Sequence, residues 1–468
     1  MPVPNPAALE RLKAAVAPDG WSEDLDRLAP KLVEWRGRWR GESPLLLLPR
    51  STDEVAAAVR VCAAEGIAVT PQGGNTGLVG GQTPRGEVLL SLERMRAVRD
   101  RDRDDDVLVV EAGATLADVH AAAAAAGRRF PLNLASEGTA TVGGLVSTNA
   151  GGTAVLRYGT MREQVLGLEA VLPSGEVMHG LKRLRKDNTG YDLRGLLIGA
   201  EGTLGVVTAA ALKLRPRLPS RAVAFVGLEA PGAALRLLER AKAATGGAVE
   251  AFELINAQGL ALALHNLPGA RAPLAGAHPW TVLLELADAE AGRAEAALEP
   301  LLASALDAGE IADAAVAQDE TQARAFWALR EGQSAAQKPE GAAWKHDVAV
   351  PVSAVPRFLE QATAAALAVA PGSRVVAFGH VGDGNIHYDV LRPEGGGDDA
   401  HDALRDRGAA AVHDVVHALG GSISAEHGLG TMKSVEALRY KDPAQVAAMR
   451  AIRAALDPGR IMNPRVLF

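Results

Sequence analysis

Apolar and polar positions follow two different periods along this chain. Leu45–Leu48 is a short apolar run closed by Pro49 and predicts a strand. The stretch DEVAAAVRVCAAEG then carries apolar residues at helical spacing, with Ser51 or Thr52 available as a cap and Gly66 as a stop. Ile67–Thr70 predicts the next strand and runs into PQGGNTGLVGGQTP. Strands are also predicted at Val88–Leu92, Val107–Glu111 and Leu166–Leu172, and a helix at Leu116–Ala126. This part is an α+β domain with glycine-rich loops, ending near Pro216 and Pro219.

Beyond it the pattern changes. Ala222–Leu228 followed by AALRLLERAKAA resembles Thr281–Leu286 followed by AGRAEAALEPLLASAL. This weak repeat of strand-then-helix units predicts a second domain, an antiparallel sheet with helices on one face. The turn-rich, partly apolar ending DPGRIMNPRVLF predicts a docked terminus. The expected division is an N-terminal helical segment (1–39), a glycine-loop domain (40–217), a second domain (218–420) and a C-terminal segment (421–468).

Composition narrows the classes. Hydrophobic residues make up 48% of 468, enough for sizeable cores, and the net charge of −7 comes without a long basic run. Nucleic acid and anionic membrane surfaces are therefore poor partners. No stretch approaches the roughly 18 apolar residues of a membrane span. The N-terminus lacks the basic-then-apolar order of a signal peptide, and Cys62 is the single cysteine. Together these suggest a reducing, cytoplasmic setting.

The 50 glycines are well above the usual ~7% and cluster in loops. Pro71–Gly81 has neither the Gly-Lys-Ser/Thr ending of a P-loop nor the Gly-x-Gly-x-x-Gly spacing of a dinucleotide turn. What remains is a loop of free backbone N–H groups able to cradle a pyrophosphate without a lysine, or simply a flexible connection. Ser136–Gly152 mixes glycines with Ser136, Thr139, Thr141, Ser147, Thr148 and Asn149, small donors that suit a ribityl chain and a flavin ring edge. A third cluster, Gly199–Val207, makes the ligand reading much stronger than one loop would.

VVAFGHVGDGNIHYDV, residues 375–390, reads as a hairpin with Asp383–Gly384 at a two-residue turn. In that register His380 faces His387 and Phe378 faces Asp389, all on one side of the sheet. Two imidazoles so placed can bind one divalent ion; the alternative is a surface histidine pair. SISAEHGLG offers Glu426 and His427, which point opposite ways in extended chain, one toward a metal and one toward a substrate. Two His and one carboxylate leave coordination positions open, as a catalytic site does.

These motifs carry a resemblance. PQGGNTGLVGG, TVGGLVSTNAGG, LRYGTMREQVLGLEAVLPSGEV, RKDNTGYDLRGLLIGAEGTLGVVT and the terminal Asn-Pro resemble the vanillyl-alcohol oxidase or PCMH flavoprotein superfamily. Within it the chain is similar to FAD-dependent D-2-hydroxyacid dehydrogenases, most to those acting on D-2-hydroxyglutarate, and also to D-lactate dehydrogenases and the glycolate oxidase flavin subunit. The resemblance covers about 40–468. It implies an α+β fold: a PCMH-type FAD domain, a substrate domain whose antiparallel sheet is flanked by helices, and a C-terminal segment completing the site.

By the same resemblance Pro71, Gly73, Gly74, Asn75, Thr76 and Gly77 hold the pyrophosphate. Ser136, Gly138, Thr141, Gly143, Gly144, Asn149, Gly152, Gly202 and Val207 line the rest of the FAD, with Asn463 near the ring. Some relatives tether flavin through a histidine in the first loop; this loop has neither His nor Cys, so non-covalent FAD is expected. His380, His387 and Glu426 become ligands to a divalent metal, zinc by expectation, and His427 the base. Arg330, Ser334 (one helical turn on) and Lys345 become substrate contacts. Asp389, on the face of the histidines, would repel a substrate carboxylate unless it binds Lys345, Arg330 or the metal.

The implied reaction oxidises a small D-2-hydroxy acid to its 2-oxo acid, D-2-hydroxyglutarate to 2-oxoglutarate first among them. The metal lowers the hydroxyl pKa, a histidine takes the proton, and hydride goes to flavin N5. Electrons would pass to an electron-transfer flavoprotein or a quinone, and a homodimer is the expected assembly. Two other classes remain open. One is a metal-dependent hydrolase with merely structural glycine loops, which would purify colourless. The other is a flavin subunit active only within a larger complex, which would be yellow but inert with dye acceptors.

Overall fold

Local signals account for most element boundaries in the computed structural model, which describes residues 4–467. The helix Thr52–Glu65 begins where the Ser51 hydroxyl accepts from Glu54 N and ends at Gly66, whose φ of +64° suits glycine. Val55, Ala56, Val59 and Cys62 form its buried stripe. The helix Leu116–Ala125 opens on a capping box between Thr115 and Asp118.

Contacts divide the described chain into two units: residues up to Gly152 with Tyr158–Pro216 and the residues from Glu426 on, and Thr153–Arg157 with Arg217–Ala425. In the first unit, Leu46–Leu47, Val88–Ser91 and Val69–Gln72 pair in parallel, and Trp21–Ser22 adds an antiparallel edge. Alternation is clean there: Leu45 and Leu47 enter one core, Leu46 and Leu48 another. A five-stranded antiparallel sheet follows, in the order Val98–Asp102, Val107–Glu111, Val206–Lys213, Val165–Val171, Val177–Gly180.

The second unit is built on one seven-stranded antiparallel sheet. Its order is Asp313–Val316, Ser220–Leu228, Trp280–Asp288, Val249–Asn256, Arg374–His380, Asn385–Leu391, Ala343–Ala349. The two repeat strands pair along their full length, from Ser220↔Asp288 to Leu228↔Trp280. Helices lie on both faces rather than on the one expected. Ser220 faces the helix Arg293–Asp307, its hydroxyl accepting from Ala294 N at 2.8 Å. Val223 and Phe225 face the other way, into a core with Phe326 and Leu329 of the helix Glu320–Glu331. Both surfaces of these strands are apolar, so both need cover.

The last segment is stitched into the first unit. Met462 bridges to Val69, and the Asp457 carboxylate accepts from the N–H groups of Ile461 and Met462. Buried Arg453 donates to the carbonyls of Val466 (2.6 Å), Met462 (3.0 Å) and Asn463 (3.2 Å). Burial, helped by nearby Arg460, pushes its guanidinium down to about 10. Arg453→Met keeps the bulk but strands three carbonyls, each costing about 1–3 kcal/mol if left buried. A fall in thermal midpoint of roughly 5 °C or more is expected by calorimetry; an unchanged midpoint would show that the stitch contributes nothing.

Candidate active site

In the first unit the predicted cofactor residues form a cradle with no room for side chains. A Cβ on Gly74 would overlap the Thr139 carbonyl oxygen, one on Gly73 the Thr141 hydroxyl, and one on Gly152 the Asn133 carbonyl. The first and second glycine loops therefore touch backbone to backbone. Gly202 of the third loop, at φ +73°, stands against Pro71 of the first. Gly138 meets nothing and Ser136 sits in the same turn at the cradle's exposed end; Val207 is a core residue of its strand.

Left-handed backbone is concentrated here. Asn75 (φ +56°), Asn149 (+51°), Glu201 (+51°) and Asn463 (+40°) account for four of the seven described non-glycine residues with positive φ. Such conformations cost of order 1–3 kcal/mol each and persist where surroundings over-determine them. The Asn75 amide donates to Val33 O (2.8 Å), and the Asn149 side-chain oxygen accepts from the Thr160 hydroxyl and Arg162 N. The Asn463 amide donates to Gly81 O (2.9 Å) and Glu201 O (2.8 Å), tying the first and third loops together.

Asn75 Oδ1 and Thr141 Oγ1 are buried without a hydrogen-bond partner among the described residues. Orphaned polar atoms in a glycine-walled cradle fit a large hydrogen-bonding ligand such as FAD. Sequence reading missed Glu201, whose carboxylate accepts from Leu429 N (2.9 Å) and Gly430 N (2.8 Å). Burial raises its pKa and the two amides oppose the rise. Glu201 thus anchors the stretch that follows half-buried Glu426 and His427. The only signal was an acid between glycines in GAEGTLG.

The second unit gathers its polar groups on one sheet face. Register sets Glu253 opposite His380, Phe378 and Asp347 opposite His387, and Lys345 opposite Asp389. This corrects the expected hairpin. A type I′ turn needs positive φ at both central residues; Gly384 (+83°) has it and Asp383 does not. The turn opens to Val381–Gly384 and pairing shifts by two, so Phe378 rather than His380 opposes His387, and Val376 rather than Phe378 opposes Asp389. A shift of two preserves faces. His380 and His387 still share one, as diagonal neighbours with ring centroids 6.3 Å apart.

Carboxylates crowd these imidazoles. Glu253 Oε1 lies 3.7 Å from His380 Nε2, Asp383 Oδ2 lies 3.6 Å from its Nδ1, and Asp347 Oδ1 lies 3.8 Å from His387 Nδ1. Imidazole and carboxylate donors together suit a divalent ion such as zinc. Arg330 is buried, its Nε donating to Glu253 and its guanidinium 5.0 Å from the Phe378 ring centroid. Lys345 Nζ donates to Asp389 Oδ2 (2.9 Å) and Gln337 Oε1 (2.7 Å). Gly332 ends the helix between Arg330 and Ser334, and Ser334 is exposed in the short helix Gln333–Ala336.

A cradle for a large ligand and a polar sheet face of this kind belong to a flavin-dependent oxidoreductase class, and the comparisons agree. Residues 44–180 match the FAD binding domain model and 217–467 match FAD linked oxidases, C-terminal domain. The chain belongs to the FAD-linked oxidase family. It is 38% identical over 443 residues to the mitochondrial D-2-hydroxyglutarate dehydrogenase of Arabidopsis thaliana, covering 94% of this chain and 78% of that one. It is 39% identical over 461 residues to the mitochondrial enzyme of Bos taurus of the same name (98% and 82%). A bacterial D-2-hydroxyglutarate dehydrogenase from Xanthomonas citri pv. viticola is 37% identical over 436 residues (93% and 91%).

Among solved structures, p-cresol methylhydroxylase with substrate bound superposes with a TM-score of 0.77 at 15% identity, covering 98% of this chain and 96% of that one. Alkyldihydroxyacetonephosphate synthase follows at 0.73 and 17%, covering 100% and 86%. These confirm the PCMH-type α+β fold. The cytoplasmic expectation is corrected, because the plant and bovine relatives are named mitochondrial. One cysteine fits any thiol-reducing compartment and singles out none. No helix among the described residues is long and apolar enough to cross a membrane.

Gly74→Ala forces a Cβ into the Thr139 carbonyl and is expected to yield protein stripped of most of its FAD, measured as flavin per chain after purification. Gly397→Ala, an exposed glycine with open space around its Cβ, is the control. Full flavin in Gly74→Ala would show that the cradle is not where the cofactor sits.

Proposed function

We propose that this chain oxidises a D-2-hydroxy acid to its 2-oxo acid, with D-2-hydroxyglutarate as first substrate. The reading has FAD bound non-covalently in the glycine cradle and a divalent cation, zinc, on His380, His387 and Glu426. One observation carries it: a chain 37–39% identical over more than nine-tenths of its length to D-2-hydroxyglutarate dehydrogenases has two imidazoles, buried carboxylates and Lys345 on one sheet face, with Arg330 of a helix set against Glu253 and Phe378 of that face. The non-covalent mode is supported by a first loop without His or Cys.

When bound, the flavin supplies a hydride acceptor. The cation, when bound, polarises the substrate hydroxyl and so lowers its pKa. The remaining steps belong to this chain's own side chains. Arg330 grips a carboxylate through Nη1 and Nη2, which make no hydrogen bond among the described residues, while Nε is held by Glu253. His427 takes the hydroxyl proton, a role suited to imidazole near neutral pH. Lys345 binds the distal end of the substrate. The reduced enzyme passes electrons to an electron-transfer flavoprotein or a quinone.

D-lactate is the second reading, favoured by the Lys345–Asp389 pair. An ammonium already shared with a carboxylate has less to offer a second one. Comparing kcat/KM for D-2-hydroxyglutarate, D-malate and D-lactate decides between them. The dicarboxylates are expected to lead, and Asp389→Asn to widen the lead by freeing Lys345. A tenfold preference for D-lactate overturns the dicarboxylate assignment. His427→Ala is expected to lower kcat by roughly 10²–10⁴-fold; an unchanged kcat removes His427 from the mechanism.

A further inference from the structure

Glu253 is a fully buried carboxylate that no sequence motif marks. Its strand register places it directly opposite His380. One oxygen, Oε2, accepts from Arg330 Nε; the other, Oε1, makes no hydrogen bond among the described residues and stands 3.7 Å from His380 Nε2. A carboxylate without water around it is costly to bury unless both its charge and its lone pairs are used. Arg330 balances the charge. The unused oxygen faces a ring nitrogen just beyond hydrogen-bond reach.

The arrangement restrains Arg330 as well. With Nε held by Glu253 and the guanidinium lying over Phe378, the side chain is fixed, and its two terminal nitrogens remain as a fork. Such a fork matches a carboxylate bidentately.

We propose that Glu253 is a positioning residue that couples the two ends of the reacting substrate's binding site. It orients the Arg330 fork for the substrate carboxylate and holds the His380 imidazole in the orientation that binds the cation. The proposal rests on the metal and substrate roles assigned above to His380 and Arg330. Residues that hold a ligand imidazole in this way change metal affinity by about 10–100-fold when removed, and loss of an oriented charged contact weakens ligand binding roughly tenfold or more.

The test is Glu253→Gln, which keeps the shape and removes the charge, made in the full chain and checked for wild-type flavin content. Zinc affinity is measured without substrate by competition with a chromophoric chelator, and KM is measured with D-2-hydroxyglutarate. Zinc binding is expected to weaken about 10–100-fold and KM to rise roughly tenfold or more, with a smaller change in kcat. A purely structural residue would lower the melting temperature and leave both constants alone, and that result overturns the proposal. Should Glu253→Gln not fold, Glu253→Gln/Arg330→Gln removes the unbalanced buried charge; wild-type zinc affinity in that pair also overturns it. Wild-type protein that takes up no zinc contradicts the metal reading and the His380 half with it, while KM of the single variant still decides the Arg330 half.

Discussion

Strand register is the constraint on which the second unit's chemistry depends. Glu253, His380, His387, Asp347, Lys345 and Asp389 come from four strands, yet antiparallel pairing puts them all on one face. A slip of one residue in any strand would send its members to the opposite face, among the helices that cover it. The pairing is held by apolar neighbours on the same face, Phe378, Ile255 and Val376, which join the core with Phe225 and Leu283. It is also pinned by Asn385, whose amide donates to Asp347 Oδ1 (2.9 Å) and Val348 O (3.0 Å) across the strand pair. The polar patch is thus an inset in an apolar surface, where charges interact strongly because water is largely excluded.

The first unit solves a different problem, close approach of backbone to backbone rather than placement of side chains. Its loops approach so closely that glycine is required, and its asparagines sit in left-handed conformations that their own hydrogen bonds stabilise. Asn463 and Glu201 connect these loops to one another and to the C-terminal stretch. Arg453 holds the residues around Asn463 in place through the carbonyls of Met462, Asn463 and Val466. Distant parts of the sequence therefore act as one cradle, and the strain at the positive-φ positions is offset by this network.

Much of this could be read from the sequence because it rests on local rules. The cap at Ser51 and the stop at Gly66 lie within a residue of prediction, and the two repeat strands are where the strand-then-helix repeat put them. What failed was what local rules do not encode. Asp-Gly suggested a two-residue turn, but the chain placed only Gly384 in the left-handed region. Glu253 lies in VEAFELIN, a strand buried on both faces; its partner Arg330 is 77 positions away. Glu201 needed the same long-range knowledge.

In the proposed function one chain joins FAD to metal-assisted oxidation of a D-2-hydroxy acid. Anaerobic mixing of the purified, metal-replete protein with D-2-hydroxyglutarate tests it most directly, with the flavin absorbance as the readout. The D acid is expected to bleach the flavin and the L acid not to, and protein stripped by a chelator is expected to keep its yellow colour until zinc is restored. Flavin that stays oxidised with D-2-hydroxyglutarate and D-lactate alike, or that bleaches as fast after the metal is removed, would contradict it.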